Sequence, residues 1–191
     1  MKKLLLLSTI ALLLTPIISY AQDGAAIENT IGIGPRLGYY KATNADNGSF
    51  YGGLQTRIRV GPVLGFEGSI EYRGGQEYDF AGQKMKTKFV PITASALIFL
   101  PINKSFAPYG IAGLGAYYTI HDYEGTFTNK TNDSFNFGYH LGFGLELPVN
   151  SHAALNFDYR YLFLNPNENQ TSTANADYSG NVFTAGLMFY L

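Results

Sequence analysis

The chain has 191 residues, of which only 14% are charged, and it carries 22 Gly, 15 Tyr and 14 Phe but no Cys. Its formal charge of −1 leaves no basic footprint for nucleic acid, and the lack of cysteine excludes a disulfide framework and thiolate metal sites. So few charges on so aromatic a chain fit a water-exposed surface poorly.

Residues 1–21 read as a secretory signal peptide: Lys2 and Lys3 form a basic start, Leu4 to Ile18 an apolar core, and Ser19 and Ala21 the small residues before a cleavage site. The apolar run falls short of the ~20 residues of a membrane-spanning helix and contains Pro16. Cleavage removes two of the 13 basic and none of the 14 acidic residues, leaving a formal charge of −3. Residues 22–29 are a polar lead-in, and residues 30–191 fit one domain.

From Thr30 onward, apolar residues recur at every second position, as in strands with one greasy face. Ile31, Ile33, Leu37 and Tyr39 share a face of the first strand, opposite Arg36. After a turn-rich loop over 41–49, Leu54, Ile58 and Val60 oppose Gln55, Arg57 and Arg59. Gly61-Pro62 marks a tight turn, and Leu64, Phe66, Ile70 and Tyr72 then oppose Glu67, Ser69, Glu71 and Arg73. A loop is expected over 74–83. The fourth strand follows, with Val90, Ile92 and Ile98 on one face and with Leu97 and Phe99 blurring the alternation. The fifth puts Leu114, Tyr118 and Ile120 against Gly113 and Gly115, and a third loop is expected over 122–134. The clearest alternation is Phe135 to Leu147, FNFGYHLGFGLEL, with His140 and Glu146 on its small or polar face. Strand seven sets Leu155, Phe157, Tyr159 and Tyr161 against Asn156, Asp158 and Arg160. After a loop over 165–180, the last strand carries Phe183, Leu187, Phe189 and Leu191 on one face.

These are eight strands whose connections alternate between long polar loops and short turns marked by Pro62, Pro101, Pro108 and Pro148. The pattern predicts an all-β fold, an eight-stranded antiparallel up-and-down transmembrane β-barrel. A soluble barrel would need a charged outer face, and here that face would be dominated by Gly. With the apolar face toward lipid, the interior collects Arg36, Arg57, Arg59, Arg73 and Arg160 with Glu67, Glu71, Glu146 and Asp158. An eight-stranded barrel is just wide enough for side chains to fill, so these nine residues are expected to form an interlocked plug.

The segments PYGIAGLGAYY at 108–118, FGYHLGFGLELP at 137–148 and the terminal GLMFYL resemble the small eight-stranded outer-membrane β-barrel proteins of Gram-negative bacteria, the porin-like outer membrane protein beta-barrel domain group. The resemblance covers residues 30–191 and implies location in the bacterial outer membrane, a periplasmic segment at 22–29 and a monomer. Phe183, Leu187, Phe189 and Leu191 resemble the C-terminal insertion signal read by the barrel-assembly machinery, although that signal usually ends in Phe.

No motif points to catalysis or to a cofactor. The Gly-x-Gly pairs at 32/34, 113/115 and 142/144 lack the rest of a dinucleotide fingerprint, and His121, His140 and His152 do not converge on a metal site. His121, Asp122 and Ser134 flank the third loop, as a rim site of a lipid A-modifying enzyme would, without a matching motif. Lys84, Lys86 and Lys88 share the outward parity of Val90 and are candidates to meet lipopolysaccharide phosphate. The function expected is a structural or surface-interaction barrel with four extracellular loops that present a surface to an outside ligand. A porin-like channel for small solutes is the alternative.

Overall fold

The structure is a computed structural model. It describes residues 27, 29–43, 45, 47–80, 83–100, 102, 105–124, 131–164 and 178–191, with side chains left aside at 75–87 and 119–134. The segment read as a signal peptide lies outside the described residues, as do most of loop four and residues 125–130 of loop three. Eight strands follow in chain order: β1 (Thr30–Ala42), β2 (Ser49–Val60), β3 (Leu64–Phe80), β4 (Gln83–Phe99), β5 (Ala107–Glu124), β6 (Thr131–Pro148), β7 (Ala153–Phe163) and β8 (Gly180–Tyr190). Each pairs antiparallel with the next, and β8 pairs with β1 to close the barrel. Closure gives every strand two partners, the condition for crossing a lipid layer that offers no hydrogen bonds.

Alternation sorts the side chains as the pleat requires. Ile33, Leu54, Ile70, Ile92, Leu114 and Phe143 are exposed on the outer wall, while Arg36, Gln55, Glu71, Thr93 and His140 are buried inside. Leu114, near the middle of β5, is 70% exposed, a position stable in hydrocarbon and unfavourable in water. Tyr72, Tyr118 and Phe135 lie exposed toward the loop side, where amphipathic rings suit a membrane interface.

Two of the expected loops are largely strand. β3 and β4 continue to Phe80 and from Gln83, and β5 and β6 to Glu124 and from Thr131, so the segments read as loops over 74–83 and 122–134 are mostly paired backbone. The reason is physical. Outside the membrane both faces of a hairpin can be wet, so such strands need no apolar alternation and give no period-2 signal. A register shift between Arg73 and Gln76, at Gly74-Gly75, marks where β3 leaves the regular wall. β4 carries Pro91, which has no N–H to donate, and the β3–β4 ladder is interrupted between the Ile70–Ile92 and Arg73–Phe89 pairs.

The short-turn rim is also tied down. Gly61 sits at φ 64°, a left-handed conformation that glycine adopts without strain, and its N–H donates to Asn29 Oδ1 at 2.9 Å. Ile27, expected within a loose lead-in, is instead buried against Ala154, Met188 and Tyr190. The chain end is fixed as well: Leu191 N–H donates to Ile31 O at 2.9 Å.

Replacing Leu114 by Arg should cost about 2–4 kcal/mol, read from denaturant unfolding of the barrel refolded in lipid vesicles. A cost near zero would mean that this face does not meet lipid.

Candidate functional site

The interior is built in three tiers. Toward the loops, Tyr40, Tyr51, Phe89, Tyr117, Leu162 and Tyr178 belong to one apolar cluster. Tyr178, at the end of loop four, turns into the barrel mouth, where its ring meets Phe89 edge-on at 5.3 Å. Toward the short turns, Leu97, Phe99, Tyr109 and Ile111 form a second cluster. Leu97 and Phe99, which blur the alternation of β4 in the sequence, therefore close the lower end of the lumen.

Between these tiers lies the charge layer, and it brings all nine predicted interior residues together. From one end to the other, Arg73 Nη2 is 2.8 Å from Glu71 Oε2, and Glu71 Oε1 is 3.3 Å from Arg36 Nε. Arg36 Nη1 lies 3.0 Å from Glu67 Oε1, and Glu67 Oε2 takes Arg57 Nη2 at 2.5 Å. Arg57 Nη1 reaches Glu146 Oε2 at 2.6 Å, and Glu146 Oε1 meets Arg59 Nη1 at 3.0 Å. The string alternates in sign throughout and ends on aromatic faces. Arg73 sits 4.9 Å from the Tyr40 ring centroid and Arg59 3.5 Å from that of Phe99, contacts that favour a cation over a π face. Arg160 joins from the side, 2.7 Å from Glu67 and 2.6 Å from Asp158.

Three of these pairs cross the whole lumen. β2 and β6 stand four strands apart in a ring of eight, and Arg57 and Arg59 on β2 both reach Glu146 on β6. The sequence suggests a neighbouring arginine as the partner of Glu146, whereas its arginines come from the opposite wall. β3 and β7 are likewise opposite, and Glu67 and Arg160 join them. Glu67 accepts from three arginines on three strands, Arg36, Arg57 and Arg160. A carboxylate buried so deeply is tolerable only with such compensation.

Neutral groups complete the packing. Tyr190 Oη donates to Glu146 at 2.6 Å and Tyr109 Oη to Asp158 at 3.3 Å. Gln55 Nε2 donates to Asn156 Oδ1 at 2.9 Å, above Gly186, where any Cβ would collide with both amides. His140 Nε2 lies 2.9 Å from Ser95 Oγ, and the His140 ring occupies the space a side chain at Gly113 would need. A residual cavity of about 10 Å³ lies among Arg36, Arg73, Thr93, His140 and Arg160, room for one water-sized sphere.

The remaining candidates are dispersed. His152 is exposed in the β6–β7 turn, with Nδ1 2.7 Å from Ser151 Oγ. Among the described residues, no group of three His, Cys, Asp or Glu could hold a metal ion. Ser134 stands opposite Thr119 and His121 opposite Asn132 in the β5–β6 ladder, and their side chains lie outside those described. Lys84 and Lys86 are also beyond the described side chains, and Lys88 is half-buried. The register sets Lys84 opposite Asp79 and Glu124, and Lys86 opposite Glu77 and Asp122. Of the terminal residues, Phe183, Phe189 and Leu191 are exposed and Leu187 is half-buried.

Removing the central carboxylate by Glu67→Gln should destabilise the barrel by about 3–5 kcal/mol, because three arginines lose their shared partner. Thermal unfolding followed by circular dichroism would show it. A change below 1 kcal/mol would mean that the network is solvated.

The match to the outer membrane protein beta-barrel domain covers residues 9–190. No curated protein sequence matches the chain. Among solved structures, the fold is similar to OprG of Pseudomonas aeruginosa, at 17% identity over 87% of this chain and 98% of that one, with a TM-score of 0.60. It is also similar to Ail, the attachment invasion locus protein of Yersinia pestis, in a complex with the heparin analogue sucrose octasulfate (16% identity, 85% and 97% covered, TM-score 0.54). Neisserial surface protein A gives 16% identity over 84% and 95%, with a TM-score of 0.54. A closed eight-stranded wall with an apolar outside and a family match over nearly its whole length make this chain a member of the outer membrane protein beta-barrel domain family, resident in the bacterial outer membrane.

Proposed function

We propose that the protein is a side-chain-filled barrel that anchors a surface-contact structure, acting through its outer hairpins and loops rather than by conduction or catalysis. The observation that carries this reading is the set of diametric contacts, Arg57–Glu146, Arg59–Glu146 and Arg160–Glu67, which cross the lumen between two apolar tiers. A solute moving through would have to break buried ion pairs, each with a cost of about 3–5 kcal/mol. Outside, the extended β3–β4 and β5–β6 hairpins supply contact surface for an extracellular ligand. Ail, a barrel of the same fold, is named as an attachment protein, so the scaffold is compatible with such a role.

Around that reading we place several further assignments. Residues 1–21 direct export and are removed. Phe183, Leu187, Phe189 and Leu191 present the terminal strand to the barrel-assembly machinery, and the barrel works as a monomer without a cofactor. Lys84, Lys86 and Lys88 face lipopolysaccharide at the outer rim, where the acidic residues opposite them in register compete with its phosphates. No enzymatic role is assigned to His121, Asp122 or Ser134. Purified barrel incubated with lipid A should leave every acyl chain in place.

The refolded barrel should give no stable conductance steps in a planar bilayer, and Arg57→Ala with Glu71→Ala should raise the leak by thinning the charge layer. Stable steps from the unaltered protein would establish the channel instead.

A further inference from the structure

The outer wall is not uniform. Cross-strand partners over β2, β1, β8, β7 and β6 align Phe50, Tyr39, Phe183, Tyr159 and Phe143 in one outward row. Within the row, Tyr39 meets Phe50 at 5.3 Å, and Tyr159 meets Phe183 at 5.1 Å and Phe143 at 5.5 Å. The next row toward the short turns runs Leu37, Ala185, Phe157 and Leu145. The small Ala185 in its middle leaves a groove of about 720 Å³ between the rows. Strand spacing of ~4.8 Å makes this groove roughly 19 Å long, and one leaflet of the hydrocarbon core is about 15 Å deep. An inclined acyl chain fits that length.

The row on the loop side is polar. Lys41, Asn181 and Tyr161 are cross-strand partners directly above the aromatic row. Lys41 is exposed. Tyr159 Oη donates to Asn181 Oδ1 at 2.7 Å, which fixes the amide and leaves its NH₂ to donate elsewhere. The wall thus carries a cation and an oriented donor at headgroup level, a belt of rings below them and an apolar groove beneath the rings. This order matches an anionic lipid read from headgroup to tail.

We propose that this wall binds one molecule of a phosphorylated outer-leaflet glycolipid, its phosphate on Lys41 and Asn181 and one acyl chain in the groove over Ala185. The site is distinct from the Lys84–Lys88 edge of β4, which lies on another side of the barrel. A lysine supplies the attraction to phosphate, and the aromatic row limits how the chain can lie. The outer-leaflet source is favoured because the cation stands on the loop side of the groove, above the aromatic row. On the short-turn side the groove is bounded by Leu37, Ala185, Phe157 and Leu145, none of them charged.

The test is native mass spectrometry of the refolded full chain from detergent micelles, titrated separately with lipid A, phosphatidylglycerol and phosphatidylethanolamine. One lipid A should be retained per barrel, in preference to both phospholipids. Lys41→Gln should reduce retention about fivefold, the scale for one basic residue at an anionic surface, and Ala185→Phe should reduce it at least as much by filling the groove. Both residues face outward, so an unchanged melting temperature separates lost binding from lost folding. Ile70→Phe, on the lipid face of β3, should change nothing. Equal retention of phosphatidylglycerol would overturn the proposal, as would equal losses in the Ile70→Phe control. So would loss of binding on replacing Lys84, Lys86 and Lys88 by Gln while Lys41→Gln has no effect. If Ala185→Phe instead converts a dimer to a monomer, the groove belongs to a second copy of the chain and the lipid site is refuted.

Discussion

The structure depends on one constraint: every charge placed inside a closed lumen must find an opposite charge there. Glu67 shows how it is met. Its carboxylate accepts from arginines on β1, β2 and β7, so a single side chain fixes the relative positions of four strands. Five arginines and four carboxylates share the space, and the two terminal arginines rest on aromatic rings where further carboxylates would otherwise be needed. Buried ion pairs of this kind add little net stability over an apolar filling, but they penalise any arrangement that separates them. Their value here lies in specifying one barrel cross-section.

The apolar tiers make that constraint stricter. Water reaching the charge layer would screen it and weaken each pair. Tyr40, Phe89 and Tyr178 on the loop side, and Leu97, Phe99 and Tyr109 on the turn side, limit that access. Glycines provide the room. Without a side chain at Gly186 the Gln55–Asn156 amide pair can lie flat on the wall. A narrow barrel can hold so many long side chains because other inward positions hold none.

Much of this was legible in the sequence. Period-2 alternation identified the eight strands and which residues point inward, since parity alone separates Glu67 from Phe66 or Arg57 from Ile58. Which inward charges meet was not legible, because opposition across a ring follows from strand number and stagger, not from adjacency. Glu146 therefore pairs with β2, far from its sequence neighbours. The aromatic tiers were present in the same parity, with Tyr109 in phase with Gly113 and Tyr190 in phase with Met188, but an apolar residue inside a barrel resembles an error in the alternation. The outer ends of β3 to β6 read as loops in the sequence, because a hairpin beyond the membrane needs no apolar alternation.

The diametric pairs also bear on the order in which the barrel forms. Arg57 and Glu146 are 89 residues apart, and Arg160 and Glu67 are 93 apart. Hairpins such as β2–β3 can pair locally, but Glu67 then holds only the arginine on its neighbour strand. Its full set of partners arrives when β7 takes its place and β8 closes on β1. A half-assembled sheet therefore carries uncompensated charge on the face that will become the lumen, which keeps that face wet and opposes early entry into lipid. Completion of the ring removes the charge from water and releases the constraint in one step, so insertion and closure are coupled by the interior itself.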